Sequence, residues 1–150
     1  MQTQNRTETR KRSTRSTRRV GYGVAVAVNV VMVVVVQNLL TWGWPAFLTP
    51  DFDRVVGIIT VSLVASIIFN LAYLGYDPDW FRHGGQVVTG AISLAVTVRV
   101  YQVFPFDFSR WTFDPTGAVR VALVAAMVGV GIAVFVELLK MMRAGMEGAA

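Results

Sequence analysis

Four apolar stretches, each long enough to cross a lipid bilayer, place the strongest constraint on how this chain can fold. They cover about residues 20–41, 50–74, 78–104 and 115–142. A helix rises 1.5 Å per residue, so roughly 20 residues match the hydrocarbon core of a bilayer, and each stretch reaches that length. Inside lipid the backbone must satisfy its own hydrogen bonds, which favours helices. The sequence therefore predicts an all-α fold, an integral membrane four-helix bundle with four transmembrane helices.

Composition supports this class and excludes several kinds of chemistry. The chain is 54% hydrophobic and 15% charged, whereas soluble domains are about 25% charged. It has no cysteine, which excludes disulfides, thiol nucleophiles and cysteine-ligated metals. It also lacks a zinc-binding HExxH sequence, a phosphate-binding glycine loop and a nucleophile elbow. We therefore expect no catalytic residues, no cofactor and no metal site, and a protein that is not an enzyme.

Three helix starts share one local pattern. Each places a capping residue directly before a proline at the first helical position. The pairs are Thr49-Pro50, Asp77-Pro78 and Asp114-Pro115.

The N-terminal residues 1–19 differ sharply from the rest of the chain. They hold half of the 14 lysines and arginines among polar residues, without apolar periodicity. We expect a disordered basic tail, followed by a transmembrane domain at 20–143 and a flexible C-terminal end at 144–150. Basic residues beside a first helix favour a cytoplasmic location and attract anionic lipid. Nucleic acid is not favoured as a partner, because no aromatic residue interrupts the basic run.

The remaining basic residues set the expected orientation. Arg82, Lys140 and Arg143 fall on the side of the tail, and Arg54, Arg110 and Arg120 on the other side. The positive-inside rule then predicts a multi-pass protein of the cytoplasmic membrane with both termini in the cytoplasm. The opposite side carries many aromatic residues, which indicate an interfacial belt; a lid that holds a ligand is the alternative.

Small and short polar residues recur every four positions along the helices and therefore share a face. We predict that they pack one helix against another, because lipid gives no hydrophobic drive between helices. An alternative is a polar path through the bundle, although such hydroxyls often bond their own helix backbone. The predicted packing residues are Asn29, Ser62, Ser66, Asn70, Thr89, Ser93, Thr97 and Gly129.

Arg99 is the one basic residue well inside the third apolar stretch. Ionisable residues within spanning helices are costly and often functional. Three roles stay open for Arg99: extension to the interface, a structural ion pair, or a site for a ligand or ion. Its candidate partners are Asp51, Asp53 and Asp107. Arg120 leans towards water from its own helix, so we expect it to extend there without strain and to need no function.

Two further ionisable residues lie near the cytoplasmic ends. Glu137 is close to the end of the fourth helix, where the helix dipole disfavours an anion, and Lys140 at i+3 is expected to offset it. His83, the single histidine, is expected to be solvated.

These features predict an accessory or structural membrane component that packs with itself as a homo-oligomer or with a larger membrane complex. The alternative is a small channel or transporter subunit for an anion or small solute, with Arg99 in the path.

Overall fold

The structure is a computed structural model that describes residues 2–76 and 78–147, with side chains described from residue 17 onward except at 144, 145 and 147. It contains four helices and one turn of 3-10 helix at Pro50–Phe52. The helices are α1 (Gln2–Trp42), α2 (Asp53–Gly75), α3 (Asp79–Val103) and α4 (Thr116–Glu147). No strand occurs in these ranges beyond one isolated bridge between Leu48 and Phe106. The predicted all-α class and the helix count are confirmed.

All four helices are long and apolar enough to cross a membrane. The candidate spans are Thr17–Trp42, Pro50–Gly75, Asp79–Val103 and Thr116–Arg143. They agree with the predicted stretches to within a few residues. The agreement is expected, because segment length and proline position are both visible in the sequence.

The helices pack in chain order. Contacts are extensive within the pairs α1 with α2 and α3 with α4, and smaller between α2 and α3. The outer helices α1 and α4 share at most a marginal contact. The arrangement is therefore open between its first and last helices, rather than closed around a central core.

Few apolar side chains are buried in this open arrangement. The main buried cluster is Val36, Phe52 and Val55, where α1, the 3-10 turn and α2 meet. Large apolar side chains elsewhere are exposed, for example Val121 at 69% and Phe135 at 61%. The exposed apolar faces are what helices surrounded by lipid, or by other helices, require.

The helix starts follow the predicted pattern in part. Asp114 accepts hydrogen bonds from the Thr116 backbone N–H at 3.0 Å and from the Thr116 hydroxyl at 2.5 Å, so it acts as the cap of α4. Pro50 opens the 3-10 turn, but the Thr49 side chain makes no cap bond and its buried hydroxyl has no partner. Asp77 lies outside the described residues.

Both end segments named in the sequence analysis overlap helices of the structure. α1 begins at Gln2, inside the basic tail, and the disorder expected through residue 19 stays a prediction. Arginine, lysine and glutamine are good helix formers, and extending an existing helix is far easier than starting one. The predicted flexible end also begins within α4, which continues to Glu147. Residues 148–150 lie outside the described part.

Candidate functional site

The loops after α1 and after α3 meet at one end of the helices. α3 ends at Val103 because Phe104 adopts a left-handed conformation, with φ 44° and ψ 65°, and Pro105 cannot continue a helix. The Thr49 N–H donates to the Pro105 carbonyl at 3.0 Å, and the Asp107 N–H donates to the Phe47 carbonyl at 2.8 Å. These two backbone bonds join the loops and fix the start of the α3–α4 loop.

An aromatic cluster fills the junction between the loops. Phe47 lies 5.5 Å from Phe108 and 6.0 Å from Trp111, measured between ring centroids. Phe106 packs against both Phe104 and Phe108. Offset and edge-to-face contacts of this kind add about 0.5–1.5 kcal/mol per pair beyond the burial of their area. The cluster therefore stabilises the loops against each other as well as supplying aromatic surface.

Arg120 lies on α4 beside this cluster. Its guanidinium carbon is 4.2 Å from the centroid of the Phe104 ring and 5.5 Å from that of Tyr101. Cation–π contacts at exposed sites contribute about 0.5–1 kcal/mol each. The sequence predicts that Arg120 extends to water. In the structure Arg120 is exposed and also contacts the rings of Tyr101 on α3 and of Phe104, the residue that follows α3.

A cavity of about 430 Å³ lies between the α3–α4 loop and the first turns of α4. We call it the loop cavity. Its lining residues are Phe104, Phe106, Asp107, Phe108, Ser109, Trp111, Asp114, Thr116 and Arg120. Aromatic rings, one cation and two carboxylates therefore face the same space.

Both carboxylates of the loop cavity are held in their charged form. The backbone N–H of Ser109 donates to Asp107 at 2.9 Å and lowers the pKa of that carboxyl, helped by the Ser109 side chain and by the charge of Arg110. Hydrogen bonds from the Thr116 hydroxyl and backbone lower the pKa of Asp114. At neutral pH both carboxylates are therefore ionised.

Arg99 is not brought to any of its candidate partners. It is exposed on α3, and in the described part of the chain it makes no ion pair. Asp51 lies 3.5 Å from Arg54 instead, Asp107 accepts from Ser109, and Asp53 is the exposed first residue of α2. The three roles left open for Arg99 therefore stay predictions.

The predicted packing residues on α1, α2 and α3 are half-buried, but their hydrogen bonds stay within their own helices. Asn29 donates to the Ala25 carbonyl at 2.7 Å, and Thr97 donates to the Ser93 carbonyl at 2.9 Å. Asn70 and Thr89 make the same i−4 bond, to Ser66 and Gly85. Ser62 is also half-buried. Each of these four bonds lies within one helix, so none of them joins two helices.

Close approach between helices occurs at glycines other than Gly129. A Cβ atom on Gly85 would overlap the Tyr73 hydroxyl and lie 2.7 Å from Phe69 Cδ1. A Cβ atom on Gly90 would lie 2.5 Å from Val134 Cγ2. Gly129 is exposed, with nothing within 4 Å of a Cβ built there. The tight contacts of α3 therefore face α2 at Gly85 and α4 at Gly90.

A polar cluster joins α3 to α4 at the opposite end from the loop cavity. His83 Nδ1 lies 2.5 Å from Glu137 Oε2, and Lys140 Nζ lies 2.7 Å from Glu137 Oε1. A carboxylate only accepts hydrogen bonds, so His83 donates through Nδ1. The His83 and Glu137 side chains are only 15% and 17% exposed, whereas Lys140 is 50% exposed. We call these three residues the polar clamp.

The sequence predicts the contact of Glu137 with Lys140 but not the one with His83. The missed signal is the antiparallel register of α3 and α4. His83 lies 20 residues before the end of α3 (103 − 83) and Glu137 lies 21 residues after the start of α4 (137 − 116), so a short loop between the helices puts both residues at the same level.

No metal centre is formed by the residues that the structure describes, since no three His, Asp or Glu side chains converge there. Asp79 lies 3.0 Å from Arg82, and His83 is occupied by Glu137.

No known protein family, curated protein or solved structure matches this chain.

Proposed function

We propose that the chain is a multi-pass protein of the cytoplasmic membrane, with both termini in the cytoplasm, that acts as an accessory or structural component rather than as an enzyme. The observation that carries this proposal is the open arrangement of four apolar helices. α1 and α4 leave their outer faces free for lipid, for a second copy or for a larger membrane complex.

Several polar side chains support a structural role, because they are used within the fold. Asn29 and Thr97 bond the backbone of their own helices, Asp114 caps α4, and Glu137 joins two helices. A catalyst needs an acid, a base or a nucleophile at a converging site. The described spans hold no such arrangement apart from the polar clamp, whose carboxylate is already satisfied on both oxygens.

The orientation can be measured with single cysteines, since the chain has none of its own. We expect an impermeant thiol reagent applied to intact cells to label cysteines at Ala46 and Ser109 but not at Ser13. The reason is the excess of basic residues at the N-terminal end. Labelling at Ser13 in intact cells, or protection of Ser109 after denaturation as well as before, would contradict the proposed topology.

A flux measurement separates the structural role from transport. The purified protein in liposomes is expected to conduct no halide, proton, potassium or sodium above the level of empty vesicles. A pore needs several polar groups that converge at mid-membrane depth, and the Thr89 and Thr97 hydroxyls donate to the backbone of their own helix. A saturable flux that Arg99→Leu abolishes and Arg54→Leu preserves would instead establish the channel or transporter alternative.

A further inference from the structure

We propose that the loop cavity binds a zwitterionic group that carries both a phosphate and an ammonium, as in the head group of a zwitterionic phospholipid. The site is separate from the helix packing on which the structural role rests. The protein must be inserted in a membrane only if the ligand is the head group of a lipid, and not if the ligand is a soluble compound.

The first step of the argument is the balance of charges in the cavity. Arg120, Asp107 and Asp114 line the same space, yet within the described chain Arg120 forms no ion pair with either carboxylate. A simple anion near Arg120 would be repelled by two carboxylates, and a simple cation would meet the guanidinium. A ligand with both charges satisfies both sets of groups.

Arg120 is suited to the phosphate of such a ligand. The guanidinium of Arg120 lies over the rings of Phe104 and Tyr101 at cation–π distance. A guanidinium that stacks on a ring keeps the N–H groups along its edge, and these match the spacing of phosphate oxygens. The rings therefore orient the cation without using its hydrogen-bond donors.

The two carboxylates and Trp111 in the lining of the cavity are suited to an ammonium. The side-chain hydrogen bonds that Asp107 and Asp114 accept in the described part of the chain all go to Oδ1, which leaves Oδ2 of each carboxylate for a cation. Trp111 is 53% exposed and stands on Phe108, which is 8% exposed. Aromatic faces beside carboxylates attract ammonium groups, including methylated ones.

Size and position agree with this ligand. The volume of about 430 Å³ lies within the roughly 300–1,000 Å³ range of small-molecule sites. The cavity lies between the end of the α3 span and the start of the α4 span, which is the level of the lipid head groups if these helices cross a bilayer.

The test is native mass spectrometry of the full chain in an uncharged maltoside detergent. Phosphatidylethanolamine, phosphatidylcholine and phosphatidylglycerol with the same acyl chains are added at equal concentration. We expect the two zwitterionic lipids to be retained about tenfold more than phosphatidylglycerol, the difference typical of one charged hydrogen bond. Equal retention of the three lipids would overturn the proposal.

The variants identify the cavity as the binding site. Arg120→Gln, and Asp107→Asn combined with Asp114→Asn, should each lower the retention about tenfold. Asparagine is also a good helix cap, so the second variant keeps the start of α4. Arg54→Gln is the matched control, an exposed arginine at the same end that is paired with Asp51 outside the cavity. Unchanged retention in Arg120→Gln, with an unchanged thermal melt, would also overturn the proposal.

Soluble phosphocholine and phosphoethanolamine distinguish the two sources of the ligand, and they need no membrane. Binding is followed by tryptophan fluorescence, with Trp111→Phe to assign the signal. A saturable change that Arg120→Gln removes supports a soluble ligand, whereas retention of lipids alone supports a lipid. If neither the soluble compounds nor the lipids bind selectively, the site does not exist as proposed, whatever the topology measurements show.

Discussion

Gly85→Val is expected to lower the free energy of unfolding by about 2–3 kcal/mol, the upper part of the range for overpacked interiors. Gly85 is buried, and any Cβ atom there meets the Tyr73 hydroxyl and Phe69 Cδ1. Tyr73 is itself only 5% exposed and its hydroxyl donates to the Arg82 carbonyl at 3.2 Å. The ring therefore has little room to move, and α2 and α3 must separate.

The control for this measurement is Gly129→Val on α4. A Cβ atom there meets nothing within 4 Å, so the variant should unfold within about 0.5 kcal/mol of the wild type, as exposed substitutions usually do. Both proteins are compared by thermal and denaturant unfolding in the same detergent. A loss at Gly129 as large as the loss at Gly85 would mean that the exposed face of α4 is a packed interface in solution.

A second variant tests the stated cause of the Gly85 effect. Gly85→Ala adds only the Cβ atom, and Tyr73→Phe removes the hydroxyl that this atom overlaps. The two changes together should cost less than the sum of their separate effects, because the residues are in direct contact. If the two losses in unfolding free energy are additive, the contact between Gly85 and the Tyr73 hydroxyl is not the cause of the Gly85 effect.

The number and limits of the helices could be predicted because they depend on local features. The stretch 50–74 is predicted from its apolar length and from Pro50, and the structure has a span at Pro50–Gly75. The face that each helix turns inward could not be predicted in the same way. In lipid, both the packed face and the outer face are apolar, so apolarity along the helix does not separate them.

α4 shows this limit most clearly. Gly129 belongs to a row of small residues, which favours close packing, yet the row lies on the exposed face. The half-buried face carries Leu123, Met127 and Val134 instead, and Val134 fits against Gly90 of α3. The small residue that permits the contact is on the partner helix. Complementarity between two surfaces is not visible in either sequence segment alone.

The candidate site is split between predictable and unpredictable parts. Asp114 as a cap follows from its place before Pro115, and Lys140 beside Glu137 follows from the i+3 spacing. The position of Arg120 on Phe104 depends on the left-handed turn that ends α3. The bond from His83 to Glu137 depends on the register of two antiparallel helices. Both contacts are tertiary, so local pattern carried no signal for them.

A double-mutant cycle on the polar clamp is expected to give a coupling free energy of about 1.5–3 kcal/mol between His83 and Glu137, the range for a hydrogen bond to a charged group. Both side chains are largely shielded from solvent, at 15% and 17% exposed, so the interaction is weakly screened. The cycle compares unfolding of His83→Ala, Glu137→Ala and the double variant in one detergent.

Lys140→Ala is the matched comparison on the same carboxylate. Its side chain is 50% exposed, so we expect it to contribute no more than about 1 kcal/mol. If the coupling of His83 with Glu137 is no larger than the effect of Lys140→Ala, the contact between α3 and α4 does not depend on this bond, and Gly90 with its apolar surroundings must hold that end of the pair.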